Sequence, residues 1–543
     1  MITLPFDALP GIPRLFADYS TRATGATNFF MGHFSDIMTW ETHIQQLERK
    51  QYQRQRLYDI LVEQNKQYRA GVRSLEHLES IKRENSYFVV TGQQVGLFTG
   101  PLYTLYKALT AVQLAAWLKD QFPACDFVPL FWLECDDSDF TEINHAGILN
   151  TRNEFTRVYY AQPEEDEARN LTPVAHLLLD ERIEQSLKEL RSALPETDFT
   201  ESVFRALTAA YRPGTPLHVA FARFFNDILP ESGLLFLNPT DAEIKRLAAP
   251  VFLQELETYP STGEEVIQRS AELEELYHAQ IKPRAVNLFL LHKNNRYAIE
   301  PGDEGFFLKG TRKRFTHEEL IDLAAEAPER FSPNVLLRPI MQDYLLPTAA
   351  YVGGPSEISY FAQLQPAYDH FQIPMPVIVP RAGITIIERK IGKLFDKFML
   401  PYAAMFLDDV ELFRISKDES GDGKTPNFDF ASFRSGFEQL LAGLPEMASA
   451  EDANLLDPAT TTVQNIQRAL AHFEDKLLQH RRQRQEVKTK QLGKLLEHLA
   501  PEGKLQERQV NVVYLLNLYG SDILTRISSE CLPFPAEHRL LLL

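Results

Sequence analysis

The spacing of hydrophobic and polar residues changes several times along the chain, and each change predicts a different element. Residues 35–84 are polar and rich in Gln, with Leu and Ile at helical spacing, which predicts long helices. The apolar runs at residues 87–90 and 127–133 predict two buried strands. Between them, Pro101 predicts the first turn of a helix that continues to Lys119. Strand, helix and strand in this order indicate a right-handed βαβ unit of a parallel sheet.

The predicted helix after Pro101 carries an apolar stripe, which we expect to face the core because residues three and four apart share one helix face. The members of this stripe are Leu102, Leu105, Leu109, Val112 and Ala116. Lys107 lies on the opposite side. We therefore expect Lys107 to be solvated unless another part of the chain covers it.

The middle of the chain interrupts this α/β pattern. Residues 150–278 have mostly helical spacing between prolines, as an inserted segment does. Alternating runs at residues 287–291, 296–299 and 305–308 then predict a β meander, with a turn at Asn294-Asn295.

Further elements follow the meander. Thr316 and Glu319 form a capping box, which predicts a helix start. Apolar runs at residues 349–352 and 376–380 predict two more sheet strands, and the polar segment at residues 417–427 predicts a loop.

The C-terminal part predicts one long helix with a coiled-coil seam. Steps of three and four separate the seam residues, and the phase continues to Val487 through polar His480 and Arg484. The seam residues are Val463, Ile466, Leu470, Phe473 and Leu477. We expect the seam to pair with a helix of a second subunit, giving a homodimer, in preference to this chain's N-terminal helices.

A basic run follows the seam and has two interpretations. A solvated helix face is favoured over a phosphate contact. The run comprises Arg481, Arg482, Arg484, Lys488, Lys490 and Lys494.

Taken together, the patterns of the whole sequence divide the chain into four parts, at residues 1–149, 150–280, 281–400 and 401–543.

Composition narrows the class of protein. A length of 543 residues is too great for one small domain. A hydrophobic content of 44% is typical of globular proteins, so we do not expect the whole chain to be disordered. A formal charge of -18 opposes binding to nucleic acid and to anionic membranes. Three cysteines without C-x-x-C spacing predict neither a disulfide framework nor a zinc site. Because we find no secretory signal and no apolar run long enough to cross a membrane, we expect a cytoplasmic protein.

The glycine-punctuated segment at residues 91–101 is the sharpest candidate for ligand contact. Glycines let the backbone approach a ligand, and free amides at a helix start bind anions. The alternative is a tight turn that needs positive φ, and the spacing matches no nucleotide fingerprint. The candidate binding residues are Thr91, Gly92, Gln93, Gln94, Gly96, Thr99 and Gly100.

An acidic run follows the second predicted strand, at the edge where α/β folds bind ligands. Asp136, Asp137 and Asp139 repel one another, so a substrate ammonium or Mg²⁺ is the expected counter-charge. The alternative is helix capping on a solvated loop. His145 is a candidate general base, with a structural role as its alternative.

A third segment repeats the sequence of strand, paired glycines, proline and helix start, so two helix N-termini are expected to face one cleft. Glu357 is a candidate catalytic residue there, or it complements the helix dipole. Arg338 and Arg381 are candidates for carboxylate or phosphate contact, or for buried ion pairs. The further binding candidates are Gln342, Asp343, Gly353 and Gly354.

These motifs resemble the bacillithiol-synthesis cysteine ligase family (BshC) over nearly the whole chain. The similar segments are TGQQVGLFTGPLYTLYK, FWLECDDSDFTEINH, LRPIMQDYLLPTAAYVGGPSEISY and LQERQVNVVYLLNLYG. The resemblance implies an α/β fold with a Rossmann-like parallel-sheet core, related to nucleotidylyl transferases, with helical insertions and a C-terminal α-helical coiled coil. It also implies an enzyme that joins the carboxyl group of L-cysteine to the amine of glucosaminyl-malate.

The resemblance carries two further expectations. Asn511, Tyr514 and Asn517 are similar to a second nucleotide contact of the family. The family usually reads E-D-H-D where this chain has Asp136-Asp137-Ser138-Asp139, so a histidine role at Ser138 is excluded.

Three functions remain open. The ligase is favoured, and because amide formation from free acid and amine is uphill in water, ATP or a related nucleotide is the expected driver, with Mg²⁺ as a candidate ion. A class I aminoacyl-tRNA-synthetase-like enzyme shares the core, but the chain has no H-x-G-H or K-M-S-K-S motif. A coiled-coil scaffold without catalysis does not need the polar loops at predicted strand ends.

Overall fold

The structure is a computed structural model that describes residues 2–23, 25–161, 172–303, 305–407, 409–416 and 430–543. It divides into two compact units. The first comprises Met1–Ile387 with Lys504–Leu543, and the second comprises Glu388–Gly503. In the described ranges, no helix combines the length and the apolar character needed to cross a bilayer. The predicted loop at residues 417–427 lies outside the described residues.

The strands belong to the first unit. In chain order they are β1 (Ile2–Pro5), β2 (Ser86–Gln94), β3 (Asp126–Glu134), β4 (His145–Leu149), β5 (Phe155–Tyr159), β6 (Leu235–Leu237), β7 (Leu288–His292), β8 (Asn295–Gly302), β9 (Gly305–Leu308), β10 (Arg314–Phe315), β11 (Phe331–Pro333), β12 (Thr348–Gly353), β13 (Val377–Pro380), β14 (Ile384–Ile387) and β15 (Glu537–Leu542).

The α-helices of the first unit surround these strands. They are α1 (Arg14–Ser20), α2 (Ile37–Glu48), α3 (Arg54–Gln67), α4 (Val72–Ser80), α5 (Leu102–Gln121), α6 (Phe140–Ile143), α7 (Arg182–Ala193), α8 (Thr200–Ala210), α9 (Leu217–Ile228), α10 (Ala242–Thr258), α11 (Ser261–Glu274), α12 (His317–Glu326), α13 (Leu337–Leu345), α14 (Pro355–Phe361), α15 (Gln365–His370), α21 (Val512–Tyr519) and α22 (Asp522–Glu530). The numbers between α15 and α21 belong to the second unit.

The core is a five-stranded parallel sheet in the order β13-β12-β2-β3-β6. Its strands read as continuous apolar runs because helices cover both faces of the sheet. The carboxyl ends of β2 and β3 are in register, with Gln94 opposite Glu134. The predicted βαβ unit and Rossmann-like core are therefore confirmed, and polar residues that follow these strands meet at one edge.

The helix α5 is buried on nearly every side, in contrast to the predicted stripe. Tyr106, Lys107 and Ala111 are buried together with Leu105 and Leu109. The prediction that Lys107 is solvated is wrong, because other segments of the chain cover that face. Lys107 is 2% exposed.

The region predicted as a helical insertion also contributes to the core. It supplies β6, which pairs in parallel with β3. A three-residue apolar strand between helices gives a weak periodic signal, so the sequence pattern did not reveal it.

The β meander is confirmed, and it continues into a five-stranded antiparallel sheet in the order β10-β9-β8-β7-β11. Its first turn lies at Lys293-Asn294, one residue earlier than predicted, since His292 pairs with Asn295. Both turn residues have positive φ, as a two-residue hairpin turn requires. The capping box of Thr316 and Glu319 begins α12 as predicted.

The second unit is helical. It contains α16 (Arg389–Phe398), α17 (Asp409–Ile415), α18 (Phe430–Ala442), α19 (Leu444–Glu451) and α20 (Leu456–Leu499). The predicted long helix is confirmed as α20, against which the other four pack. The side chains of His480, Arg481, Arg482 and Arg484 lie outside the described residues. The first unit ends at Ile387, before the predicted boundary at residue 400, and resumes at Lys504.

Candidate functional site

A cavity of about 520 Å³ lies at the carboxyl edge of the core sheet. Residues at or after the ends of β2, β3, β12 and β13 line it, which is where parallel α/β sheets bind ligands. The sites predicted from these strand ends therefore meet in one cleft. The predicted residues that line it are Gly92, Gln93, Gln94, Asp137, Arg338, Gly354, Glu357 and Arg381.

The glycine-punctuated segment contributes to the cavity through its first part. Strand β2 continues to Gln94, so Gly92 and Gln93 belong to a strand and not to the predicted loop. The Lys107 ammonium donates hydrogen bonds to the Gly92 carbonyl and to Gln93 Oε1, each at 2.8 Å. Thr91 lies inside the sheet, where its hydroxyl donates to the Val352 carbonyl at 2.8 Å.

The second part of that segment is covered by the chain itself. The Asn511 side-chain amide donates to the carbonyls of Leu97, Phe98 and Gly100. The first amide of α5, at Leu102, donates to the Val510 carbonyl at 2.8 Å. Gly96, Thr99 and Gly100 are not among the described residues that line the cavity, so their contact with a ligand stays a prediction.

Gly100 has a backbone conformation that favours glycine. Its φ of 70° and ψ of -162° are essentially restricted to glycine. We expect Gly100→Val to lower the free energy of unfolding by about 1–3 kcal/mol through backbone strain.

Gly92→Ala provides the comparison for Gly100→Val. The backbone at Gly92 is extended, and an added Cβ lies 3.2 Å from the Trp132 carbonyl oxygen, so we expect a smaller loss. Urea titrations followed by circular dichroism test the order, and equal losses would contradict it.

Glu357 belongs to a buried ion pair at the centre of the cleft. Its carboxylate accepts hydrogen bonds from the Tyr351 hydroxyl at 2.6 Å and the Gly354 amide at 2.8 Å, and it contacts the Lys107 ammonium. Burial alone raises the pKa of Glu357, but the Lys107 charge and these hydrogen bonds outweigh it, so the pKa is lowered. Glu357 is therefore ionised and fully partnered at neutral pH.

The acidic run separates into three environments. Asp136 is buried and pairs with the Lys245 ammonium of α10 at 2.6 Å, away from the cavity. Asp139 caps α6 by accepting from the Glu142 amide at 3.2 Å, as the capping alternative predicts. Only Asp137 of the three lines the cavity.

Asp137 and His145 differ in position. The Asp137 carboxylate accepts from Gln94 Nε2 at 3.0 Å and lies 3.3 Å from Arg296 Nη1. His145 begins β4, with its ring 5.6 Å from that of Tyr159, and is not among the described residues that line the cavity.

Arg338 lies against Glu134, which ends β3. The Arg338 Nε atom is 3.6 Å from a Glu134 carboxylate oxygen, while its Nη atoms donate to Gln342 and Tyr360. Gln342 and Asp343 are buried behind Arg338, outside the cavity. Burial raises the pKa of Asp343 to about 6, and the Tyr368 hydroxyl donates to its carboxylate.

Arg381 forms a buried ion pair, which is one of its two predicted alternatives, and its contact with a ligand stays a prediction. It lines the cavity, and its Nη2 atom also donates to the buried Glu507 carboxylate at 2.5 Å. The same carboxylate accepts from the Ile384 amide at 3.1 Å. Arg381 is thus held in place by a residue of the returning C-terminal segment.

The predicted second nucleotide contact is occupied by internal hydrogen bonds. Asn511 holds the glycine loop, as described above. The Asn517 side chain donates to the Pro195 carbonyl at 2.8 Å and accepts from the Thr200 hydroxyl at 2.9 Å. Tyr514 is 4% exposed. All three are buried in the first unit, and none is among the described residues that line the cavity, so a nucleotide contact there stays a prediction.

Cations outnumber carboxylates around the cavity, although the chain is acidic overall. Seven cationic side chains of the described residues line it: Lys107, Lys282, Arg284, Arg296, Arg338, Arg381 and Arg508. Four carboxylates line it: Glu134, Asp137, Glu142 and Glu357. Lys282, Arg284 and Arg508 are exposed and have no carboxylate partner within the described ranges. This excess of positive charge favours an anionic ligand.

Several of these residues were missed by sequence reasoning. Lys107 was considered but was expected to be solvated, although it is the one lysine inside an otherwise apolar helical stretch. Glu134 precedes the acidic run directly, so it also carried a usable signal. Lys282, Arg284 and Arg296 lie in or before the meander, and no local pattern connects them with the core sheet. Within the described part of the chain, no group of three His, Cys, Asp or Glu side chains is placed to hold a metal ion.

Fold and site together define a Rossmann-like α/β protein with a charged cleft at the carboxyl edge of its sheet and a separate helical unit. The family model for the N-terminal Rossmann-like domain of bacillithiol biosynthesis BshC matches residues 4–382, and the model for its C-terminal coiled-coil domain matches residues 384–543. The chain therefore belongs to the bacillithiol biosynthesis BshC family.

Individual relatives cover nearly the full chain. A protein of Salinibacter ruber is 38% identical over 96% of this chain and 94% of its own length. A protein of Chlorobaculum tepidum is 34% identical over 98% and 97%, and one of Bacillus cytotoxicus is 29% identical over 91% and 92%. Each of the three carries the name "Putative cysteine ligase BshC".

Proposed function

We propose that the protein is a cysteine ligase, which forms an amide bond between the carboxyl group of L-cysteine and the amine of glucosaminyl-malate. The observation that carries this proposal is the mixed charge of the cleft in a member of the BshC family. Asp137 and Glu134 offer carboxylates to a substrate ammonium. The exposed rim cations, Lys282, Arg284 and Arg508, can bind carboxylate or phosphate groups of a substrate. A scaffold has no use for such a cleft.

A nucleoside triphosphate, with Mg²⁺ as its counter-ion, is the proposed source of free energy. It would supply activation of the cysteine carboxyl group, without which amide formation in water is uphill. Arg381 and Arg508, both near the Tyr103 ring, are the cations that fit its phosphates. A cytoplasmic location is part of the same proposal, because cysteine and nucleotides are small cytoplasmic metabolites.

Product formation and ligand response test the ligase directly. The full-length protein is incubated with L-cysteine, glucosaminyl-malate and either ATP or ADP, and the amide product is detected by mass spectrometry. We expect the product only with ATP, and a rise in melting temperature with each ligand that binds. Absence of product under every nucleotide would overturn the proposed function.

A charge-reversal pair tests the role of the rim cations. We expect Arg284→Glu to weaken the response to glucosaminyl-malate by about tenfold or more, because a charge-assisted contact contributes about 1.5–3 kcal/mol. Arg312→Glu, at an exposed position outside the cavity, is the matched control. Equal responses of the two variants would exclude Arg284 from substrate binding.

We also propose that the protein is a homodimer through α20. Val463, Ile466, Leu470 and Leu477 are half-buried within the second unit. Phe473 is 54% exposed and Val487 is 53% exposed, which leaves apolar surface for a second copy.

Light scattering tests this assembly. We expect twice the chain mass of 62.2 kDa at micromolar concentration, and the chain mass for the double variant Phe473→Glu and Val487→Glu. Glu486→Gln, an exposed change on the same helix, should stay dimeric. A wild-type protein of 62.2 kDa would contradict the proposal.

A further inference from the structure

Glu134 is a largely buried carboxylate of the cleft for which the described residues supply no hydrogen-bond donor. Glu357 is held by Tyr351, the Gly354 amide and Lys107, and Asp137 is held by Gln94 and the Ser138 amide. Glu142, on the short helix α6, also accepts no hydrogen bond within the described ranges, but unlike Glu134 it is an exposed residue. Among the described residues, nothing donates a hydrogen bond to Glu134.

The surroundings of Glu134 do not compensate for this lack. Its side chain is only 21% exposed, and its nearest charged partner, the Arg338 Nε atom, lies at 3.6 Å, which is beyond hydrogen-bond distance. The Arg338 Nη atoms are already committed to Gln342 and Tyr360. A largely buried carboxylate without donors is destabilised, so it has a strong tendency to take up a donor or a proton from whatever enters the cavity.

The charges around Glu134 also favour uptake of a proton. Burial raises the pKa of Glu134 to about 7; the nearby Arg338 charge acts against this rise, whereas the charges of Asp136 and Asp137 add to it. An acid or base is most effective when its pKa lies near the working pH. Glu134 therefore exchanges a proton readily at neutral pH, while the ionised Glu357 does not.

We propose that Glu134 is the catalytic proton acceptor for the substrate amine, which it meets at the carboxyl end of β3. This assignment rests on the proposed ligase function. An amine attacks a carbonyl carbon only as the free base, whereas a substrate amine arrives largely as an ammonium at neutral pH. The cleft attracts that ammonium through Asp137 and Glu134, and of the two it is Glu134 to which no described residue donates a hydrogen bond.

Amide bond formation moves two protons from the substrate nitrogen. The ammonium gives one proton to the Glu134 carboxylate and becomes an amine. The nitrogen lone pair forms the C–N bond to the activated cysteine carbonyl carbon. The C–O bond to the leaving phosphate or nucleoside monophosphate breaks with its electron pair, and the leaving group takes the second nitrogen proton. Glu134 then returns its proton to water.

The pH dependence of ligation by wild type and Glu134→Gln tests this role. In the wild type we expect kcat/KM to fall as pH drops below about 7, the pKa of Glu134. In Glu134→Gln we expect kcat to fall by about 100-fold or more, since general-base catalysis contributes roughly 10²–10⁴-fold. KM should rise as well, because one of the two carboxylates that attract the ammonium is lost. In the pH profile of kcat/KM for the variant, the fall at low pH should move to the pKa of the free amine substrate. That pKa is measured in a separate titration of the substrate.

Chemical rescue separates a proton acceptor from a merely structural carboxylate. Glu134→Ala leaves a space, and we expect added formate to restore part of its kcat, whereas Glu134→Gln fills that space and should not respond. The exposed Glu243→Gln is the control for loss of a negative charge and should behave as wild type. Melting temperatures confirm that the variants are folded.

The outcomes distinguish this proposal from the ligase function. A wild-type protein that forms no amide overturns both. A wild-type ligase whose Glu134→Gln variant keeps its kcat and its acidic limb overturns the role of Glu134 alone. If Glu134→Gln does not fold, the wild-type profile still decides, because the absence of an acidic limb near pH 7 excludes Glu134 as the acceptor.

Discussion

Replacing Lys107 with methionine is expected to lower the free energy of unfolding by about 3–5 kcal/mol, which is typical when one partner of a buried ion pair is removed. The Lys107 side chain is 3% exposed and that of Glu357 is 21% exposed. Methionine fills a similar volume but leaves the Glu357 carboxylate without its counter-charge and the Gly92 carbonyl without its donor. Urea denaturation at neutral pH measures the loss.

Two further variants make the test specific. In the double variant Lys107→Met and Glu357→Gln no buried charge is left unpaired, so we expect it to regain much of the lost stability. Lys119→Met, at the exposed end of the same helix, should stay close to wild type, since exposed ion pairs contribute about 0–1 kcal/mol. A single Lys107→Met variant as stable as Lys119→Met would show that Lys107 does not stabilise the cleft.

Asp136→Asn and Asp137→Asn are expected to differ sharply, although the residues are neighbours in the chain. Asp136→Asn leaves the Lys245 ammonium, which is 1% exposed, without a counter-charge, so we expect a loss of about 3 kcal/mol or more. The Asp137 side chain is 41% exposed, and its replacement should change stability by less than about 1 kcal/mol. Asp137→Asn should instead weaken binding of the amino substrate, because the charge-assisted contact is lost.

Thermal melts and ligand titrations of the two variants give the answer together. The expected pattern is an early melt for Asp136→Asn and a normal melt with weaker substrate binding for Asp137→Asn. If Asp137→Asn melts early and retains full activity, its role is structural. If Asp136→Asn is as stable as wild type, the pair with Lys245 does not contribute to the fold.

Much of the core could be predicted from local pattern. The runs at residues 87–90 and 127–133 identified β2 and β3, and the parallel sheet then brought their polar ends together. The position of the cleft followed from the rule that such sheets bind ligands at their carboxyl edge. This reasoning identified four of the residues that line the cleft, namely Gly92, Asp137, Arg338 and Glu357.

The other parts of the site depend on contacts between distant segments, which local pattern does not encode. Asp136 and Lys245 are 109 residues apart, and Asn511 bonds to Gly100 from 411 residues away. Periodicity places Lys107 on the outer face of a helix, yet it cannot show that α14 supplies a carboxylate there. The environment that singles out Glu134, namely the burial and the missing donors, likewise arises only from tertiary packing.

The return of Lys504–Leu543 to the first unit bears on the order in which the chain is made and folded. Strand β15 lies between β1 and β14, and Glu507 anchors Arg381, so residues 504–543 complete contacts with segments that are synthesised much earlier. Until β15 has been synthesised, β1 and β14 lack the strand that pairs with both, and such unpaired strand edges are prone to mispairing. Nascent chains arrested before residue 504 should therefore be protease-sensitive in the first unit and depend on chaperones until residues 504–543 have been synthesised.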